Sequence, residues 1–171
     1  MSAGLKTTAV GRIRALLVLA LAATCALPGV TASAPIADFT FATDQGALRL
    51  ASLRGKVVYL DYWASWCVPC RQSFPWMNEM HARYGDKGLV IVAVNVDRDA
   101  AEARRFLEKY PAHFIVAYDP EGKTAKALAL KGMPSSFVID RQGQIFAAHV
   151  GFREAAKVVM AEEIRAVLGA P

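Results

Sequence analysis

Asp61-Tyr62-Trp63-Ala64-Ser65-Trp66-Cys67-Val68-Pro69-Cys70-Arg71 sets two cysteines three positions apart, directly after the apolar run Val57-Val58-Tyr59-Leu60. The apolar run reads as a buried strand. The residues from Pro69 to Tyr84 follow with helical spacing of Phe74, Met77 and Met80. This order places Cys67 at a helix N-terminus, where unpaired N–H groups and the helix dipole favour an anion. The thiolate is the reactive form of cysteine, so that position activates Cys67. Cys70, one turn on, is within reach of a mixed disulfide formed at Cys67, and the pair carries two electrons as a dithiol or a disulfide.

Zinc sites use the same spacing, but they take four ligands, commonly as two such pairs or one pair with histidines. The remaining cysteine is Cys25, and His81, His113 and His149 are isolated from one another and from the pair. Redox chemistry is therefore the expectation, with no metal and no cofactor. Pro69 suits the first turn of a helix, and Pro75 inside it is expected to kink it.

The first 32 residues read as a signal peptide: Lys6, Arg12 and Arg14, then the apolar run 15–23, then small residues with a cut after Ala32. The alternatives are an uncleaved anchor, for which the run is short of the ~20 residues of a span, and a lipoprotein modified at Cys25. A linker at 33–38 and one domain at 39–171 complete the division. The formal net charge is +5, and without the leader's three basic residues it is 17 basic against 15 acidic, or +2. The remaining basic residues are scattered, which gives no nucleic-acid footprint. Export places the thiol pair in an oxidising compartment, the periplasm or the outer face of the cytoplasmic membrane.

Along the domain, Phe39–Phe41 and Leu48–Leu50 flank Asp44-Gln45-Gly46 as a hairpin. Leu89–Val96 is a continuous apolar run apart from Asn95, the mark of a parallel strand buried on both faces. Asp99–Lys109 reads as a helix with Asp99 as N-cap. Phe114–Tyr118 is a strand, Lys123–Leu130 a short helix, Ser136–Asp140 and Ile145–Val150 a hairpin, and Glu154–Leu168 the last helix. Parallel strands joined by helices, then an antiparallel hairpin, make a mixed sheet between helices.

This order, with Trp63-Ala64-Ser65-Trp66-Cys67-Val68-Pro69-Cys70-Arg71 at the strand-to-helix turn and Gly132-Met133-Pro134-Ser135-Ser136-Phe137-Val138-Ile139-Asp140 before the hairpin, resembles the thioredoxin fold. More narrowly, it is similar to the exported TlpA/ResA-like thiol–disulfide oxidoreductases, over nearly all of 39–168 and with the helix-and-strand insert at Asp99–Tyr118. The resemblance implies a three-layer α/β fold with an N-terminal hairpin and a central insert. It implies Cys67 as attacking thiol, Cys70 as resolving thiol, and Pro134 as a cis-proline against them. It also implies a substrate-binding groove rimmed by Trp66, Met133, Gly151 and Phe152, with the Met133 backbone offered to a client strand. Asp61 falls where thioredoxins keep a buried acid behind the resolving cysteine. Many members carry Asn there and an acid in the insert instead, and Glu102, Glu108 and Glu121 are the acids near that region.

Asp61 stands out without the analogy, because a carboxylate beside four apolar strand residues is costly to bury as a charge. Desolvation would suit it for proton exchange with Cys70. The alternative is an exposed or capping Asp at a strand end. The resemblance implies a monomeric reductase of protein disulfides, fed by a membrane electron donor of the DsbD/CcdA type and serving cytochrome c maturation or metal-site assembly. Alternatives within the fold are a disulfide oxidase or isomerase, for which Val68-Pro69 lacks the usual histidine, and a copper chaperone, which would need His113 or His149 at the pair.

Overall fold

The computed structural model describes residues 35–169. The chain runs β1 (Thr40–Thr43), β2 (Gly46–Arg49), β3 (Val57–Trp63), α1 (Cys70–Tyr84), β4 (Leu89–Asn95), α2 (Ala100–Lys109), β5 (Ile115–Tyr118), α3 (Lys123–Ala127), β6 (Ser135–Ile139), β7 (Ile145–Val150) and α4 (Glu154–Gly169). The signal-peptide reading of residues 1–32 lies outside the described residues.

The strands form one sheet in the order β2-β1-β5-β4-β3-β6-β7. β3, β4 and β5 are parallel neighbours, whereas β6 pairs antiparallel with β3 and β7 antiparallel with β6. The insert thus adds β5 beyond β4, and the N-terminal hairpin closes that edge by pairing β1 with β5. This is the thioredoxin-like architecture expected from the motifs.

β3 is buried at every position, because its two faces meet different layers. Tyr59 and Trp63, with Ile91 and Val138, pack against Phe74 and Met77 of α1, Phe106 of α2, and Met160 and Ile164 of α4. Val58, Leu60 and Tyr62 turn the other way, toward Ile36, Phe41 and Leu50, with Ala125 and Leu128 alongside. The period-2 alternation of a strand turns one apolar run into two cores.

Several boundaries differ from the expectation. The strand read as Val57–Leu60 runs on through Asp61 to Trp63, so Asp61 is inside it. α1 stays helical through Pro75, whose ring removes the bond to the Arg71 carbonyl. α3 stops at Ala127 because Ala129 takes a left-handed φ of 51°, which turns the Leu130 N–H onto the Ala125 carbonyl at 3.1 Å. The described part of the 33–38 linker is docked. Pro35 bridges to Gln144, and buried Ile36 donates its N–H to the Gly143 carbonyl at 3.0 Å.

α2 is held by an aromatic cluster in which the Phe106 ring lies 4.6 Å from Trp63 and 4.9 Å from Phe74, centroid to centroid. Phe106→Ala is expected to destabilise the protein by about 3–5 kcal/mol in urea unfolding, the usual range for a core Phe truncation. A loss under ~1 kcal/mol would show the insert helix to be peripheral to the core.

Candidate active site

The pair sits at the carboxyl end of the parallel strands β3 and β4, the end at which open α/β sheets present their chemistry. Cys67 and Cys70 are joined as a disulfide, S–S 2.06 Å, with Cα atoms 5.4 Å apart. α1 begins at Cys70, so Cys67 lies three residues ahead of the helix rather than in its first turn. The intervening chain is a turn, with the Cys67 N–H on the Ala64 carbonyl at 3.1 Å and the Gln72 and Ser73 N–H groups on Pro69 at 3.0 and 3.1 Å. Pro69 takes φ −64°, which its ring favours, and it has no N–H to leave unpaired. Cys70 is wholly buried and Cys67 nearly so, while the flanking Trp66 and Val68 are 65% and 60% exposed. Cys67 is therefore the sulfur at the edge of the protein and Cys70 the one behind it.

Asp97, which sequence reading passed over, holds this turn in place. Its buried carboxylate accepts the Ser65 N–H at 2.8 Å, the Ser65 hydroxyl at 3.1 Å and the Asn95 amide at 2.8 Å. The signal was available. Asp97 follows the apolar strand Leu89–Asn95, and a parallel neighbour of β3 ends at the same edge of the sheet, with Trp63 paired to Asn95.

Asp61 is 1% exposed and its Oδ2 has no hydrogen-bond partner. Burial pushes its pKa well above the usual carboxylate range. It is neither exposed nor a cap, so the strand-end alternative does not describe it. By alternation it shares a face with Tyr59 and Trp63, the face against which α1 packs.

The Met133–Pro134 peptide bond is cis, and Pro134 is buried with Met133 half-buried before it. The Pro134 carbonyl accepts the Gly151 N–H at 2.7 Å, and Gly151 takes φ +81°, a conformation that glycine adopts without penalty. Phe152 departs from its expected place on the groove rim. It is 4% exposed, its ring 5.5 Å from that of Trp76, so it backs the site from within the core. An aromatic ring next to a glycine turn gains more from burial than from standing in water.

The three acids in or near the insert lie on the surface, Glu102 paired with Arg105 and Glu121 with Lys123, and Glu108 exposed. His149 is bonded to Glu163 of α4, Nε2 to Oε2 at 2.6 Å. His113 lines a groove of about 1180 Å³ with His81, Leu89 and Leu107, near the opposite end of β4; none of the cysteine-site residues lines it. Among the described residues, no three His, Cys, Asp or Glu side chains gather in a way that would hold a metal ion.

Comparison with known proteins agrees with this geometry. A thiol–disulfide oxidoreductase ResA from Bacillus thuringiensis subsp. konkukian is 35% identical over 98 residues, 57% of either chain. The ResA of Oceanobacillus iheyensis is 35% identical over 102 residues, 60% of this chain and 53% of that one. The matched region thus spans little more than half the length of these relatives. A candidate thiol:disulfide interchange protein DsbE from Chlorobium tepidum, known as a crystal structure, is 48% identical with a TM-score of 0.79, covering 82% of this chain and all of that one. The profile described as Redoxin matches residues 30–168. On sequence, fold and the placement of its cysteine pair, this chain belongs to the Redoxin family, where it resembles the ResA-like thiol–disulfide oxidoreductases.

Proposed function

We propose that this thiol–disulfide oxidoreductase is an exported reductase of protein disulfides, with Cys67 as attacking thiol and Cys70 as resolving thiol. The observation that carries the reading is the asymmetry of the pair: Cys67 lies in the turn between exposed Trp66 and Val68, whereas Cys70 is wholly buried at the start of α1, on the face that also holds an unpaired carboxyl. In the reduced protein the Cys67 thiolate attacks a client disulfide and releases one client thiolate. Cys70 then gives its proton to the Asp61 carboxylate and attacks the Cys67 sulfur. The second client thiolate leaves, and the Cys67–Cys70 disulfide remains. The client has gained two electrons. A dithiol donor of the DsbD/CcdA type returns two electrons to the pair by the same exchange in reverse.

Asp61 acts as base only when ionised, and burial opposes ionisation, so its proton affinity is drawn toward that of a thiol. Trp66, Met133 and Gly151 frame the approach to Cys67, where an extended client segment pairs with the Met133 backbone. The family names of the relatives support protein disulfides as substrates, and cytochrome c maturation or metal-site assembly are the client classes we assign. The signal-peptide pattern of residues 1–32, basic residues followed by the apolar run 15–23, supports export to the periplasm, and we assign the protein as a monomer. Among the described residues, no helix is long and apolar enough to cross a membrane.

Direction is tested by equilibrating the purified protein with glutathione redox buffers. Val68-Pro69 offers the thiolate no histidine donor, so the pair should be reducing, nearer the ~−270 mV of thioredoxin than the ~−120 mV of a strong oxidant. A value near the latter would make the protein an oxidase.

A further inference from the structure

One polar row crosses the otherwise apolar face of the sheet beneath α1 and α4. Asp61 of β3 is the register partner of Ser136 of β6, and Ser136 is in turn the partner of His149 of β7. Opposed residues of antiparallel strands point to one face with Cβ atoms about 4.5–5.5 Å apart, which is side-chain reach. Beyond His149, Glu163 of α4 takes its Nε2 at 2.6 Å. Tyr59, two residues before Asp61 on the same face, reaches the Ser136 side chain with its hydroxyl, which also lies 3.6 Å from the Met160 sulfur.

Exposure grades along this row. Asp61 is 1% exposed and Ser136 3%, whereas the His149 and Glu163 side chains are 21% and 22% exposed. Each step toward β7 is a step toward water. Neither Asp61 nor Cys70 has direct access to solvent, yet a base that has taken the Cys70 proton must lose it before the next turnover. Polar side chains in an apolar layer cost stability unless they are bonded. Here Asp61 Oδ2 is unpaired while the row is hydrogen-bonded at its outer pair, His149 and Glu163, so a polar row in register leading outward asks for a use.

We infer that Ser136, His149 and Glu163 form a proton path between Asp61 and solvent. The inference rests on the reading of Asp61 as the base for Cys70. Asp61 gives its proton to the Ser136 oxygen while the Ser136 hydroxyl proton passes to the imidazole. The ring releases one proton through Glu163 to water. The Asp61 carboxylate is restored, one proton has left, and no bond to sulfur is involved. During re-reduction the path runs inward. The titratable groups on the face of the sheet that carries Asp61 are Cys70 from α1, Tyr59 from β3, His149 from β7 and Glu163 from α4. β4 presents Ala93 at this row, β6 presents Val138 beside Ser136, and α2 presents Ala103 and Phe106. Lys157 of α4 is held by Glu154 and lies over the Phe152 ring. Tyr59 stays protonated, its pKa raised well above the ordinary value by burial.

The test is multiple-turnover reduction of insulin by the full chain, with dithiothreitol as electron donor, followed across pH in H₂O and D₂O. Ser136→Ala and His149→Gln should each slow the reaction roughly tenfold, part of the 10²–10⁴ that positioned proton transfer supplies, and shift the pH profile. Ser136→Thr, which keeps the hydroxyl, should restore the rate. In series with Asp61, neither change should slow the Asp61→Asn variant further. His149→Gln, at the half-exposed end, keeps the test open if Ser136→Ala fails to fold. If Asp61→Asn is slow while folded Ser136→Ala and His149→Gln match the wild type in rate, pH profile and isotope effect, the path is wrong and the base stands. If the effects of Ser136→Ala and Asp61→Asn simply add, the path is likewise wrong. Should Asp61→Asn itself behave as wild type, both readings fall together.

Discussion

Cys70→Ser is expected to accumulate disulfide-linked adducts with client proteins, and Cys67→Ser to accumulate none. The client must reach the sulfur that starts the exchange, and Cys67 lies in the turn between exposed Trp66 and Val68. Cys70 is wholly buried at the start of α1. It has access to one target, the Cys67 sulfur to which it is bonded in the oxidised state. Replacing it leaves the mixed disulfide with no internal thiol to resolve it, so adduct lifetime should rise by orders of magnitude. Non-reducing gels of extracts from cells expressing each variant give the result. Adducts from Cys67→Ser alone, or equal adducts from both, would reverse the two roles.

The second large effect is expected from Asp61→Asn, with stability and activity moving in opposite directions. A buried carboxyl with an unpaired Oδ2 is held in its neutral form, its pKa in the fold well above the ~3.9 of the unfolded chain. Between those two values the native state binds the extra proton. Its contribution to stability is fully present below pH ~3.9 and declines as pH rises toward the folded pKa, by about 1.4 kcal/mol per pH unit. Asn carries no such dependence. The variant's urea midpoint should therefore change less with pH, and above pH ~5 it should be more stable by at least ~1 kcal/mol. Disulfide reduction should meanwhile fall by roughly 10²-fold, because Cys70 has lost its proton acceptor. Unchanged rates with a flattened stability profile would make Asp61 a packing residue with no part in the exchange.

The thiol pair and its chemistry were legible in the chain itself, because C-x-x-C after a strand and before a helix is a local pattern. The strand and helix order was legible for the same reason. Val57–Leu60, Leu89–Asn95 and the 3.6-residue stripes of α1 and α2 are periodicities of consecutive residues. Boundaries were less so where long-range contacts decide them. Asp61 reads as the end of a strand until β4 and β6 pair with it on both sides and draw it into the interior. Phe152 reads as a rim residue until Trp76 is found against it.

What the sequence determined by itself is the redox pair, the mixed α/β order with its insert, and the presence of one acid beside an apolar run. What the tertiary structure decided is which polar groups meet. Asp97 reaches Ser65 across 32 positions, His149 reaches Glu163 across 14, and Asp61, Ser136 and His149 share one row. Cross-strand register and helix placement set those distances. They follow from the packing of the whole sheet against its helices, and no window of neighbouring residues contains them.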